Sequence, residues 1–193
     1  ISGLVGSEMC IRDRYLEMQK SSHFDFHLET KGLLMAYKTS QAEKEEAEVV
    51  VQAKDLGLKI EQLSPDEVLK KQPGTSMDIA GAFWYESDAH STPELFMQNL
   101  FTLLTESGVN FVLEQEVTNF KLKNNNIQSV VTTHQDLKAD EVVVASGAWS
   151  ELLLKQLEIQ LSVQAGKGYR LNLNKPTGIS LPAILLEAKV AVT

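Results

Sequence analysis

Residues 140–153, with the sequence DEVVVASGAWSELL, constrain the fold of this chain more than any other stretch. The run of valines predicts a buried strand over residues 142–145, and the leucines that follow Trp149 predict a helix. The small residues 145–147 then form a turn at the carboxyl end of that strand, where an open α/β sheet binds its ligands. Gly147 has no side chain, so either a flat or charged ligand approaches the backbone there or the turn packs closely against its neighbours. The residues alone favour neither interpretation.

Hydrophobic periodicity and capping signals predict further elements on both sides of this turn. Ser40 is the expected N-cap of one helix because Glu43 follows at capping-box spacing, and Ser64 with Glu67 predicts a second capping box. Asparagines 124–126 predict a tight turn, since asparagine tolerates positive φ. Helices are predicted over residues 40–57, between 64 and 72, between 92 and 108 and over 150–157, and strands over 32–37, 58–63, 80–85, 109–113, 116–122, 127–133, 137–139, 161–173 and 185–193.

Charge and composition exclude several classes of function. A formal net charge of −8 leaves no evident basic surface for a nucleic acid. No apolar run reaches the length that a membrane span needs. The single cysteine, Cys10, excludes an internal disulfide and any multi-cysteine metal site. What remains is the composition of an ordinary globular protein.

Familiar cofactor and metal motifs are absent from the sequence. There is no GxGxxG after a predicted strand, and residues 166–168, GKG, have too few glycines and no following serine or threonine for a phosphate loop. His23 and His27 have the spacing of helical metal ligands. However, no acidic residue occupies the position between them that the metalloprotease pattern requires. We therefore predict surface histidines and no metal site.

Two candidates for acid, base or nucleophile are also weak. Ser146 lacks the second glycine of a nucleophile elbow, and no histidine is placed to activate it. Asp88 and His90 could form an acid/base pair, but they precede a predicted helix, where polar residues are expected for capping alone. The sequence therefore assigns no catalytic residue.

The first fourteen residues, ISGLVGSEMCIRDR, do not resemble a natural protein segment. Residues 4–13 match, codon by codon, the translation of a transposon-type sequencing adapter, CTC GTG GGC TCG GAG ATG TGT ATA AGA GAC. A signal peptide does not fit, because the apolar stretch is short and charged residues follow it. We expect residues 1–14 to be a disordered artefact, Cys10 to have no function, and the rest to be an internal fragment of a longer protein.

Several segments have the order and spacing of known family motifs. Residues 142–150, VVVASGAWS, fit a VVxAxGxWS signature, and residues 163–171, VQAGKGYRL, fit a PxKGY strand with Ala165 at the first motif position. Further segments are GLLMAYKT at 32–39, GAFWYESDAHSTPELFMQNL at 81–100, EV at 116–117 and KVAVT at 189–193. Together they resemble the flavin-dependent D-amino-acid oxidase superfamily, and within it the bacterial D-amino-acid dehydrogenase and glycine oxidase branches.

The resemblance implies FAD as the cofactor. The residues that it places near FAD are Val117, Ala145, Ser146, Gly147, Ala148 and Trp149, and those that it places near the substrate or cofactor are Lys167 and Tyr169. The family's glycine-rich pyrophosphate motif and its substrate-carboxylate arginine have no counterpart in the chain. We therefore expect this fragment to be inactive by itself.

The resemblance also implies a fold class of α/β with α+β character. Part of a Rossmann-like FAD-binding domain would be interleaved with an antiparallel-sheet substrate domain. Residues 15–31 are expected to be loop or weakly structured. The substrate domain would include residues 32–90 and again 158–193, with the FAD-binding domain formed by 91–157.

The implied function is oxidative deamination of a D-amino acid or small amine by hydride transfer to FAD, with oxygen or a quinone as electron acceptor. Two alternatives stay open: oxidation of a 2-hydroxy acid or glycerol 3-phosphate, and a non-catalytic relative that has lost the flavin. The expected location is cytoplasmic, with peripheral association at the inner face of a bacterial membrane left open.

Overall fold

The computed structural model describes residues 2–20, 24–175 and 177–193; His23, discussed above, lies outside them. Two compact units are present: a larger unit, Ile1–Val109 with Leu173–Thr193, and a smaller unit, Asn110–Asn172. The helices are α1 (Ser2–Lys20), α2 (Ser40–Asp55), α3 (Pro65–Lys71), α4 (Pro93–Glu106) and α5 (Ser150–Leu154). The strands are β1 (Leu33–Tyr37), β2 (Ile60–Leu63), β3 (Gly81–Tyr85), β4 (Val117–Lys123), β5 (Asn126–Thr132), β6 (Asp136–Leu137), β7 (Ala183–Leu185) and β8 (Val190–Val192).

The larger unit is built on a five-stranded mixed sheet with the strand order β2-β3-β1-β7-β8. Strand β1 lies at its centre, antiparallel to β3 and parallel to β7. Leu34 of β1 pairs with Trp84 of β3 on one side and with Ala183 of β7 on the other. The last residues of the chain therefore complete a sheet that begins near residue 33.

Both faces of β1 are covered, because alternate side chains point to opposite faces of a strand. On one face Leu34 and Ala36 are buried in a cluster that includes Val68 of α3. On the other face Tyr37 packs with Val50 of α2 and with buried residues of β2 and β3. This two-sided burial explains why β1 is a continuous apolar run in the sequence.

An aromatic cluster orders the segment before β1, so the prediction of loop over residues 15–31 is wrong in part. Helix α1 continues to Lys20, and the rings of Phe24 and Phe26 are buried. Tyr15 of α1 and Phe96 of α4 have ring centroids 5.3 Å apart, and Phe96 also contacts both buried rings. The prediction of disorder over residues 1–14 also differs from the structure, in which α1 starts at Ser2.

The unit boundaries differ from the predicted domain boundaries. The larger unit extends to residue 109 and resumes at 173, whereas the sequence predicts changes after residues 90 and 157. Helix α4 belongs to the larger unit because Phe96 packs on Phe24 and Phe26. Which domain binds substrate and which binds FAD stays a prediction.

The smaller unit contains an antiparallel sheet with the order β4-β5-β6, and Phe120 of β4 is buried. Asn124 and Asn125 both have positive φ, of 53° and 61°, so the predicted asparagine turn between β4 and β5 is present. Lys121 of β4 forms an ion pair with Asp136 of β6 across the sheet. Together with the larger sheet, this arrangement confirms the predicted mixed α/β class.

Three predicted strands are absent from the described part of the chain: residues 109–113, 142–145 and 161–173 have neither helix nor strand there. Val143 is 87% exposed, which contradicts the prediction of a buried strand. An apolar strand of a parallel sheet is stabilised by neighbouring strands on both sides and by layers on both faces. No described residue of the smaller unit pairs with this segment as a strand. Its valines therefore do not become part of a hydrophobic core, although the sequence is apolar.

Capping chemistry positions the helices of the larger unit, with one correction. The N-cap of α2 is Thr39 instead of the predicted Ser40, and its Oγ1 accepts a hydrogen bond from Ala42 N–H at 3.2 Å. The capping box of α3 is confirmed: Ser64 Oγ accepts from Glu67 N–H, and the Glu67 carboxylate accepts from Ser64 N–H.

A carboxylate from the turn between β7 and β8 binds the start of α2. Glu187 Oε1 accepts hydrogen bonds, all 2.9 Å long, from Lys38 N–H, Thr39 N–H and the Thr39 hydroxyl. The backbone donor at Lys38 is the foremost cause that lowers the pKa of Glu187 to about 2. Glu187 thus ties the last hairpin of the chain to the junction between β1 and α2.

We predict that Glu187→Gln lowers the thermal midpoint of unfolding at neutral pH. Because the folded pKa is below the ordinary value of about 4.3, the stabilisation is present above pH 4.3 and disappears as the pH falls towards about 2. Thermal unfolding followed by circular dichroism between pH 7 and pH 2 measures this. The exposed Glu61→Gln is the matched control, and equal midpoints for both variants at pH 7 would contradict the role of Glu187.

A second prediction compares Ser64, the N-cap of α3, with Thr92, the N-cap of α4. Ser64→Ala should destabilise the chain by about 1 kcal/mol, since the N-cap hydroxyl satisfies a helix donor. Thr92→Ala should cost less, because the Thr92 side chain makes no capping hydrogen bond to α4. Urea unfolding of the two variants compares these free energies, and equal losses would argue against the capping explanation.

Candidate functional site

The predicted cofactor turn lies in the smaller unit, where an extended segment enters a helix. Gly147 has a φ of 57°, in the left-handed region that favours glycine. Gly147–Trp149 form one 3₁₀ turn, in which Trp149 N–H donates to Ser146 O at 3.1 Å, and α5 follows from Ser150. The backbone conformation at Gly147 is therefore one reason for a glycine at this position.

The backbone of this turn is open. A Cβ atom built on Gly147 would meet no other described atom within 4 Å. Ala145 and Ala148 are exposed, and Trp149 is 70% exposed. Ser146 is half-buried, and its Oγ lies 3.1 Å from Oγ of the buried Ser150. Nothing described packs against Gly147, so the turn has the clearance that a flat cofactor would need.

Val117 lies in the same unit as the turn, at the start of β4. It is half-buried and pairs with Thr132 of β5. The neighbouring residue, Thr118, accepts a hydrogen bond through its carbonyl oxygen from Gln156 Nε2 at 3.0 Å. Gln156 belongs to the 3₁₀ turn Lys155–Leu157 that extends α5. This bond holds the helix after Gly147 beside the strand that starts with Val117. Val117 and the Gly147 turn, both predicted to lie near the cofactor, are therefore in the same part of the smaller unit.

Lys167 and Tyr169 lie in the extended segment that follows α5. Lys167 Nζ is 5.4 Å from the centroid of the Tyr169 ring, and Tyr169 is 89% exposed. The predicted strand is absent here, so the structure pairs these residues with each other without placing them in a core. Their role near substrate or cofactor stays a prediction.

The described contacts pair His90 with Glu29 instead of with Asp88. His90 Nε2 lies 3.3 Å from Glu29 Oε2, and the same carboxylate lies 2.7 Å from Lys31 Nζ. The hydrogen bond from Lys31 is the main cause that lowers the pKa of Glu29. Asp88 Oδ1 accepts from Ala89 N–H. These contacts support the interpretation that Asp88 and His90 have a structural role and do not act as an acid/base pair.

A cavity of about 650 Å³ lies within the larger unit, where α1, α2, the sheet and residues 87–91 meet. Tyr85 of β3 and Glu46 of α2 meet in its wall, where the Tyr85 hydroxyl donates to Glu46 Oε1 at 2.6 Å. Burial, followed by the hydrogen bond to Glu46, raises the pKa of Tyr85 well above its ordinary value. The phenol therefore stays protonated at neutral pH and acts as the donor in this pair.

The sequence interpretation missed this Glu46–Tyr85 pair, although one signal was available. Glu46 is 8% exposed and shares the buried face of α2 with Ala42, Val50 and Ala53. A glutamate on the apolar face of an amphipathic helix is rare without a partner. That position, four residues before Val50, marks Glu46 as a residue with a specific polar contact.

The sequence matches the family model described as "FAD dependent oxidoreductase" (DAO) over residues 7–191. The D-amino acid dehydrogenase of Neisseria meningitidis serogroup C / serotype 2a is 29% identical over 189 residues, covering 94% of this chain and 45% of that protein. The D-amino acid dehydrogenase of Helicobacter pylori (strain ATCC 700392 / 26695) is 29% identical over 164 residues, covering 85% and 38%. The chain thus spans less than half the length of these curated relatives.

Solved structures with the same fold include L-proline dehydrogenase from P. horikoshii, with a TM-score of 0.75 and 20% identity over 94% of this chain and 50% of that one. Glycine oxidase from Bacillus cereus has a TM-score of 0.68 and 24% identity, covering 78% and 41%. L-α-glycerophosphate oxidase from Mycoplasma pneumoniae, solved with FAD bound, has a TM-score of 0.63 and 19% identity, covering 86% and 45%. At these identities the likeness concerns the fold.

Proposed function

This chain belongs to the DAO family of FAD-dependent oxidoreductases, and on that premise we propose that the whole protein oxidatively deaminates a D-amino acid or another small amine. The observation that carries the proposal is the alignment of D-amino acid dehydrogenases with up to 94% of the chain. Because the chain spans 45% of the first of these relatives, the activity is proposed for the whole protein.

The residues of the smaller unit fit a flavin-binding role. FAD, when bound, supplies a two-electron acceptor next to the substrate. The open backbone at Gly147 lets a flat ligand approach without a side chain between them. The bond from Gln156 to Thr118 holds the helix that follows the Gly147 turn beside the start of β4, where Val117 lies. In this proposal, these residues position the flavin and shape the surface that binds it.

The proposed reaction balances without an acid or base from this chain. The α-carbon of the substrate would lose a hydride to bound FAD, and its amino group would lose a proton to solvent. Water then hydrolyses the resulting imine to a 2-oxo acid and ammonia. The relatives are named dehydrogenases, which favours a quinone over oxygen as the final acceptor. Peripheral association with the inner face of a membrane would fit that acceptor.

No helix in the described part of the chain has both the length and the apolar character needed to cross a bilayer.

We predict that side chains added at position 147 weaken FAD binding in the protein made from the complete open reading frame. Gly147→Asn keeps the left-handed backbone at small cost but fills the open space above it, so the FAD dissociation constant should rise about tenfold or more. Gly147→Val, which is β-branched, should abolish binding. Flavin absorbance after purification and titration with FAD measure both effects.

Gly57→Asn is the matched control for this series. Gly57 also has a positive φ, of 89°, and a Cβ there meets nothing within 4 Å, but it lies in the larger unit after α2. The control should bind FAD normally. If Gly147→Asn does the same, the glycine serves only the turn conformation.

Substrate turnover distinguishes the proposed function from its alternatives. The complete protein should reduce an artificial electron acceptor with D-alanine, and D-lactate or glycerol 3-phosphate should give much lower rates. Turnover of the hydroxy compounds alone would replace deamination with alcohol oxidation. A colourless protein that takes up no added FAD would identify a non-catalytic relative.

A further inference from the structure

We propose that the cavity at the junction of α1, α2 and the sheet of the larger unit binds a primary ammonium group that carries a short apolar chain. The cavity is the one of about 650 Å³ that contains the Glu46–Tyr85 pair. Binding there requires neither FAD nor oxidation of the ligand. The inference therefore stands or fails separately from the proposed function.

The carboxyl group of Glu46 is the reason to expect a cation. Glu46 is 8% exposed, and one of its oxygens accepts the Tyr85 hydroxyl. Within the described residues, no lysine, arginine or histidine nitrogen lies within 4.0 Å of it. Buried acidic side chains are normally paired with a cation. The second carboxyl oxygen is thus a free acceptor in the cavity wall, and an ammonium group offers three donors.

The remaining lining of the cavity determines which chemical group is attached to the cation. The apolar part of the lining comes from α1, the sheet, α2 and the segments before β1 and β2: Ile11, Tyr15, Leu28, Leu33, Met35, Val49, Leu58 and Ile184. Such a surface favours a hydrocarbon chain attached to the charged group. A bare metal ion does not fit, since the described residues contain no cluster of three or more His, Cys, Asp or Glu side chains that could hold one.

Other charged or titratable residues of the wall include Arg12, Asp88 and His90. Arg12 Nε is buried without a hydrogen-bond partner. Arg12 Nη1 donates to Ser87 O at 2.7 Å, and Arg12 belongs to the stretch that resembles a sequencing adapter. His90 Nε2 faces Glu29, whereas its buried Nδ1 has no hydrogen-bond partner. Ile11 and Arg12 of the adapter-like stretch also line the cavity. The polar contact that the proposal uses is formed by Glu46 and Tyr85, which lie outside that stretch.

Calorimetric titration of the 193-residue chain with n-butylammonium tests the proposal directly. We expect saturable binding that is at least about tenfold tighter than binding of n-butanol, which has the same chain without the charge. Butyrate, with the opposite charge, should not bind. Equal affinities for n-butylammonium and n-butanol, or no saturable binding of n-butylammonium, would overturn the proposal.

Matched variants assign the binding to Glu46. Glu46→Gln should weaken n-butylammonium binding about tenfold or more, whereas Glu48→Gln, an exposed position on the same helix, should leave it unchanged. Arg12→Gln should not weaken binding, because it removes a like charge from the wall. Loss of binding in folded Arg12→Gln would assign the site to α1 and overturn the proposal. If circular dichroism shows that Glu46→Gln is unfolded, the comparison with n-butanol on the unchanged chain decides.

Backbone amide chemical shifts locate the ligand. Titration with n-butylammonium should move the signals of Met35, Tyr85 and Ala89, which line the cavity, and leave those of residues 110–172 in place. Shifts confined to the smaller unit would place the ligand elsewhere and contradict the assignment.

Discussion

The pairing of β1 with β3 on one side and β7 on the other is the interaction on which the larger unit depends. It joins segments from the two ends of the chain into one sheet, and it buries Leu34 and Ala36 completely between α3 and the strands. The helices gain their positions from this sheet, because α2 and α3 each cover one of its faces. The cavity with Glu46 and Tyr85 is lined by this sheet, by α1 and α2, and by residues 87–91 after β3.

Much of this fold could be predicted from the sequence, because its signals are local. The glycine, proline and capping residues around α3 and the asparagines before β5 specify backbone conformations within a few residues. Residues 142–145 show the limit of such signals. Three valines favour a strand, but a strand forms only with partners, and periodicity does not show whether partners are near. The ordered segment before β1 escaped prediction for a related reason, since Phe24 and Phe26 are buried by distant rings of α1 and α4.

The two candidate sites differ in how visible they are in the sequence. The Gly147 turn stands out because small residues interrupt apolar ones, and its likeness to a family motif gives those residues a role. Glu46 has no motif around it. The helical pattern of α2 indicates that Glu46 is buried, but only the tertiary structure reveals its hydrogen-bond partner, Tyr85 of β3. A motif therefore points to the first site, whereas the second becomes visible only through packing in the tertiary structure.

The parallel pairing of β1 with β7 also has a consequence for the order in which the chain acquires its structure. On the ribosome, residues 110–172 emerge before β7 and β8, so the smaller unit can assemble its hairpin sheet from local contacts while the larger sheet still lacks two strands. During that interval the edge of β1 is unpaired, which exposes a strand to wrong partners. The pairing of β1 with β7 is thus a late, non-local step in the assembly of the larger sheet.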